Sequence, residues 1–105
     1  MFGKLVIVPV ALTLLSLVAA ADYRLTVNKP PCMSIGNFEK TFEALCPVFK
    51  SDEEFRSVYF HRGASGGAHN TTQAQVYCLY NNANGTVQEY TKELTLQLGG
   101  STTIA

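Results

Sequence analysis

The chain has 105 residues, which is enough for one domain with a small hydrophobic core. Its eight basic and eight acidic side chains balance, and the two signs are interspersed along the sequence. Because a phosphate backbone is bound by a dense positive surface, this balance argues against nucleic acid as a partner.

Residues 1–20 are arranged as a secretory signal: a positive charge at Lys4, a long apolar run and then small residues. Cleavage after Ala20 or Ala21 satisfies the peptidase's preference for small side chains. The alternative is a retained membrane anchor, but the run is short for a span of about 20 residues. Pro9 would also weaken such a helix. We therefore predict removal of the leader and secretion, with no membrane contact afterwards.

A strand and a short helix are predicted first in the secreted chain. Residues 23–27 alternate apolar and polar side chains, which is the pattern of a half-buried strand. The helix is indicated by apolar residues that recur on one stripe: Phe38, Phe42, Leu45 and Cys46. Asn37 is a competent N-cap, and Pro47 disfavours helix at the preceding residue. A helix of about nine residues is too short to be stable alone, so it must pack on other elements.

The middle of the chain predicts a second strand followed by a loop. Residues 51–54 have the serine-to-glutamate spacing of a capping box, which indicates either one helical turn or a solvated loop. Residues 56–62 are rich in residues that favour strands, and they end at a glycine. Residues 63–70 are rich in glycine and predict a flexible loop.

An Asn-Gly dipeptide at 84–85 is a strong hairpin signal. A two-residue turn would mix apolar and charged side chains on one face of the hairpin. A three-residue loop over 83–85 instead places Tyr80 opposite Gln88 and collects more apolar groups on one face. Since a buried face sets the register of a strand, we predict the three-residue loop.

These elements predict an α+β fold, with one short helix packed on an antiparallel sheet of about four strands. Alternating leucines extend the last strand to residue 98: Leu94, Leu96 and Leu98. We divide the chain into a signal peptide (1–20), a single secreted α+β domain (21–98) and a flexible C-terminal tail (99–105).

The three cysteines predict one disulfide. Cys46 lies on the apolar stripe of the helix and Cys78 on the inward face of the hairpin, so a bridge between them would connect helix and sheet. The alternative pairs Cys32 with Cys78. With the first pairing, Cys32 is left unpaired or forms an intermolecular bridge. No Cys-x-x-Cys spacing indicates a zinc site, and we expect no cofactor.

Two Asn-x-Thr sequences, at Asn70 and Asn84, are acceptors for N-linked glycans. Asn84 would lie at the exposed tip of the predicted hairpin. A tight turn and a glycan are therefore compatible at the same residue.

Two groups of side chains are candidates for a functional site. His61 and His69, with the carboxylate of Glu89, have the chemistry of general acid–base cleavage of RNA. Tyr59 and Tyr77 point away from the predicted core, and exposed aromatic side chains on a sheet often mark a partner surface. In the alternative interpretation, the histidines are ordinary surface residues and the tyrosines cover the second side of the sheet.

A leader, a small chain, few cysteines and one helix among antiparallel strands resemble the small secreted effector proteins of plant-pathogenic fungi. The order helix, strand, hairpin is similar to their ribonuclease-like members, and Tyr59-Phe60-His61 resembles a strand motif of guanyl-specific ribonucleases. Residues 75–80 lack the arginine of that family, and no histidine follows the last hairpin.

This resemblance implies a ribonuclease-like shape without catalysis and a role in virulence. Such a protein binds a host or extracellular protein, either outside cells or, after translocation, inside host cells. The alternative is a small secreted ribonuclease that uses His61 and Glu89, with His69 as a further candidate.

Overall fold

The computed structural model describes residues 22–103, which form five strands and two helices. The elements are β1 (Leu25–Asn28), α1 (Ile35–Leu45), β2 (Glu54–Arg62), β3 (Gln73–Asn81), β4 (Val87–Glu89), α2 (Thr91–Gln97) and β5 (Ser101–Thr102). The predicted signal peptide lies outside the described residues. The α+β class is confirmed, with one helix and one strand more than predicted.

All strand pairs in the sheet are antiparallel, in the order β2-β3-β1-β5, and β4 pairs with the end of β3. The long strand β3 is therefore the centre of the sheet, with β2 along one side and β1 and β4 sharing the other. Both helices pack on one face, which we call the inner face.

The hydrophobic core lies between the inner face and the two helices. Alternate residues of β3 point into it, and the helices contribute fully buried side chains. These core residues are Phe38, Phe42, Ala74, Val76, Cys78, Tyr80 and Leu94. The ring of Phe60 on β2 contacts both phenylalanines of α1 edge to face, with centroids 5.4 Å from Phe38 and 6.0 Å from Phe42. Burial of these rings stabilises a helix that is too short to form alone.

The first helix begins earlier than predicted. Its N-cap is Ser34, whose Oγ accepts a hydrogen bond from the main-chain nitrogen of Asn37 at 3.1 Å, so Asn37 is wrong as the cap. The helix consequently has 11 residues. It ends at Leu45, and a 3₁₀ turn follows over Cys46–Val48. Cys46 itself is helical, with φ of −54° and ψ of −48°, so the predicted effect of Pro47 on the preceding residue is wrong.

The predicted disulfide is present between Cys46 and Cys78, with a Cα–Cα distance of 5.7 Å. Both cysteines are fully buried, and the bridge joins the end of α1 to the middle of β3. Cys32 is free and exposed, so the alternative pairing with Cys78 is wrong in this structure.

The two loops before the hairpin are also defined. Residues 51–53 form a turn and β2 begins at Glu54, so the helical alternative for this segment is wrong. The glycine-rich loop at 63–70 contains a short 3₁₀ turn, Ser65–Gly67.

The hairpin has the predicted three-residue loop. The main-chain nitrogen of Asn82 donates to the carbonyl of Thr86 at 2.8 Å, and Tyr80 pairs with Gln88. Gly85 has φ of +85°, a left-handed conformation that glycine adopts without strain. The burial pattern of the strands therefore predicted the register correctly.

The chain after the hairpin differs from the prediction. Strand β4 ends at Glu89, and the alternating leucines lie in the helix α2 instead. The buried residues of this helix, Thr91, Leu94 and Thr95, recur at helical spacing. Gly99, with φ of +98°, follows the end of the helix in the conformation typical of a C-terminal cap.

The predicted flexible tail over 99–105 is wrong for its first part. Residues Ser101 and Thr102 form β5, which pairs with Asn28 and Val27 of β1. A Cβ on Gly100 would lie 2.5 Å from the carbonyl oxygen of Asn28, so a glycine is needed for this close approach.

Candidate functional site

The face of the sheet opposite the two helices, here called the outer face, carries the two tyrosines that the sequence singled out. Its registered pairs are Ser57 with Leu79, Tyr59 with Tyr77 and His61 with Gln75. Leu79 is buried at one end, whereas Tyr59 and Tyr77 are partly exposed.

Tyr59 and Tyr77, here called the tyrosine pair, are cross-strand neighbours on β2 and β3. Their rings are stacked, with centroids 5.1 Å apart and an interplanar angle of 16°. A stacked pair contributes about 0.5 to 1.5 kcal/mol beyond the area that it buries. The two rings therefore form a pre-organised aromatic surface.

Arg24 lies beside the tyrosine pair, one residue before β1. Its Nε and Nη2 donate to the two carboxylate oxygens of Asp22 at 2.9 Å and 2.8 Å. This hydrogen bond, followed by one with the Tyr59 side chain, raises the pKa of Arg24. The same pairing lowers the pKa of Asp22 to about 2. A charged arginine, paired with the exposed carboxylate of Asp22, thus lies next to the aromatic surface.

The residues proposed for RNA cleavage are not brought together. His61 is on β2 and pairs with Gln75 of β3, whereas Glu89 is on β4 and pairs with Leu79 of β3. The strands β2 and β4 lie on opposite sides of β3. Their backbone positions are four residues apart along the sheet and two strands apart across it. With a rise of about 3.4 Å per residue and a strand spacing of about 4.8 Å, this is a separation of about 17 Å. His69 is an exposed loop residue with φ of +58°. Burial, together with the nearby Glu93, raises the pKa of Glu89.

Both glycan acceptors are exposed. The Oδ1 atom of Asn84 accepts hydrogen bonds from the main-chain nitrogen of Thr86 at 3.2 Å and from its Oγ1 at 2.8 Å. The acceptor sequence is therefore ordered at the tip of the hairpin, and glycosylation of Asn70 and Asn84 stays a prediction.

A polar network lies on the other side of the molecule, where the hairpin meets the loop before β2. The Tyr90 hydroxyl donates to Oε2 of Glu53 at 2.5 Å, and Lys50 Nζ lies 5.1 Å from the centre of the Tyr90 ring. The hydrogen bond with Glu53 is the largest cause that raises the pKa of Tyr90 to about 12.

This shift predicts a loss of stability at high pH. The unfolded chain has a tyrosine pKa of about 10, so the folded state holds the Tyr90 proton more tightly. The resulting stabilisation is complete below about pH 10 and is lost as the pH rises through about 12. Urea unfolding in a Cys32→Ser background, which removes the free thiol, is expected to show this decline. It should be smaller in Tyr90→Phe, and an equal decline in both proteins would contradict the assignment.

Two shallow cavities lie away from the outer face. One, of about 400 Å³, is lined by Leu45, Val48, Phe49, Lys50 and Gln97. The other, of about 410 Å³, is lined by Asp52, Glu53, Glu54, Asn81, Asn82 and Ala83. Within residues 22–103, no three histidine, cysteine or carboxylate side chains are grouped so that they could hold a metal ion.

Neither helix in the described part of the chain has the length and apolar character needed to cross a membrane. No protein-family model matches the chain, and no curated protein or solved structure matches it significantly.

Proposed function

We propose that this chain is a secreted binding protein that acts on a host or extracellular protein through its outer face. The observation that supports this function is the tyrosine pair flanked by Arg24, on a sheet face opposite both helices. Tyrosine and arginine are enriched among the residues that contribute most to binding at protein interfaces. A stacked tyrosine also loses little conformational entropy when it binds.

The buried disulfide supports the secretory part of the proposal. Disulfides persist in oxidising compartments and are common in small secreted domains whose cores are limited. The Cys46–Cys78 bridge lies in the core of a domain of this size, and the apolar leader precedes it in the sequence.

The ribonuclease alternative has less geometric support. General acid–base cleavage needs two groups on either side of one 2′-hydroxyl, within hydrogen-bond reach of the protons that they move. A backbone separation of about 17 Å between His61 and Glu89, from strand geometry, favours binding over this chemistry.

The test is capture of a partner from host extract by the immobilised protein. The double variant Tyr59→Ala/Tyr77→Ala is expected to bind the captured partner at least about tenfold more weakly, because hot-spot aromatics contribute about 2 kcal/mol or more. Lys40→Ala is the matched control, since Lys40 is exposed on α1 at the opposite side of the sheet.

Equal binding by the double variant would contradict the outer face as the interface. Cleavage of RNA by the purified protein, abolished in His61→Ala, would replace the binding function with the enzymatic one.

A further inference from the structure

Strand β2 is an edge of the sheet. It pairs with β3 on one side, and no other strand among residues 22–103 lies along its second side. Residues 57–61, here called the β2 edge, contain no aspartate, glutamate, lysine or arginine. They include three residues with high strand propensity, and such an edge is a template for pairing with another strand.

The direction of the main-chain groups on the β2 edge follows from one hydrogen bond. The nitrogen of Gly63 donates to the carbonyl of Gln73 at 2.7 Å, in register with the β2–β3 pairing. Because such bonds alternate along an antiparallel pair, Tyr59 directs its main-chain groups towards β3, whereas Val58 and Phe60 direct theirs away.

The side chains of the edge are also accessible. Val58 and Phe60 are partly exposed, whereas their neighbours on β3, Cys78 and Val76, are fully buried. The helix α1 therefore covers the core over β3, but it leaves the unpaired edge of β2 open on the inner face. This leaves both apolar surface and main-chain donors and acceptors available at the same place.

We propose that two copies of this chain pair antiparallel through the β2 edge, about a two-fold axis at Tyr59. A two-fold contact requires each residue to match its counterpart in the other copy. In this register, apolar Val58 faces apolar Phe60 of the second copy on the inner face. On the outer face, polar Ser57 faces His61, and Tyr59 faces itself.

This register pairs the main-chain donors and acceptors that β2 directs away from β3. Val58 and Phe60 form the hydrogen-bonded pairs, and Tyr59 occupies the non-hydrogen-bonded position, where Cα atoms are about 4.5 Å apart and side chains approach most closely. The tyrosine pairs of the two copies then form one continuous row of four rings.

The arginines at the two ends of the edge already have partners in their own chain. Arg62 Nε donates to Oε1 of Glu39 at 2.8 Å, and Arg56 Nη1 donates to Oδ1 of Asn81 at 3.2 Å. The Glu39 carboxylate reduces the repulsion between Arg62 and Arg56 of the second copy. The neutral Asn81 amide only holds Arg56 in place.

A cysteine at the axis tests this register. In a Cys32→Ser background, Tyr59→Cys is expected to form an intermolecular disulfide, since a Cα separation of about 4.5 Å is within the range that a disulfide spans. Most of the oxidised chain should then migrate as a dimer on a non-reducing gel and as a monomer after reduction. The matched control, Tyr77→Cys, lies on the same face one strand further in and should remain monomeric.

Sedimentation equilibrium is the second measurement, and it uses the protein with an unmodified β2 edge. The purified protein is expected to dimerise with increasing concentration, and Tyr59→Asp should weaken this at least about tenfold, because it places two like charges directly opposite each other. Tyr77→Asp should dimerise like the wild type.

Three results would overturn the proposal: a wild-type monomer at the highest soluble concentration, a Tyr59→Asp variant that dimerises normally, or no crosslink through Tyr59→Cys. Failure of the proposed binding function is distinguishable from these, since that function requires both tyrosines and dimerisation requires only Tyr59.

Discussion

Replacing Cys46 and Cys78 together with alanine is expected to lower the free energy of unfolding by about 3 to 4 kcal/mol. The bridge closes a loop with a sequence separation of 32 residues, which restricts the unfolded chain. Small domains are stable by only about 5 to 15 kcal/mol in total, so this is a large share. The double variant also avoids a free thiol that a single replacement would leave in the core.

Urea unfolding of the double variant and the parent measures this loss as a shift of the midpoint. Cys32→Ala is the control, because Cys32 is exposed and free, and it should change stability by no more than about 0.5 kcal/mol. A double variant as stable as the parent would show that the bridge contributes nothing to the fold.

Phe38→Ala is expected to destabilise the protein by about 3 to 5 kcal/mol. The side chain is fully buried, and its ring packs edge to face against Phe42 at 5.9 Å and Phe60 at 5.4 Å. Alanine would therefore leave a cavity where α1 packs on β2, and both remaining rings would lose a contact.

Chemical denaturation followed by circular dichroism measures this effect. Val48→Ala is the control, since Val48 is 67% exposed in the 3₁₀ turn after α1 and should change stability by no more than about 0.5 kcal/mol. If both variants lost the same stability, α1 would not depend on its aromatic contacts.

Local patterns predicted the first helix, the second strand, the hairpin loop and the disulfide. The helix, the strand and the hairpin loop depend on residues that are close in sequence. The disulfide joins two distant cysteines, and each of them lies on the apolar side of its own element. The alternation of Leu94, Leu96 and Leu98 wrongly predicted a strand. Two of the buried positions of α2 are threonines, which count as polar in such a pattern, so the helical period was not visible. Gly99 was the available signal for a helix end.

In the candidate site, too, local patterns predicted some positions, whereas others depend on contacts between distant parts of the chain. The outward positions of Tyr59 and Tyr77 followed from alternation along their own strands. Arg24 could not be assigned to the same surface, because its place beside them depends on β1 pairing with β3, a contact between distant parts of the chain. The separation of His61 from Glu89 depends on strand order in the same way.

The position of β1 has a consequence for biosynthesis. The first strand of the described chain lies between β3 and β5, so it is completed only when the last strand within residues 22–103 has been translated. A nascent chain halted before Ser101 would leave the main-chain groups of β1 without their partners on that side. Completion of β1 must therefore wait for Ser101 and Thr102, and proteolytic removal of these two residues would expose the side of β1 that they cover.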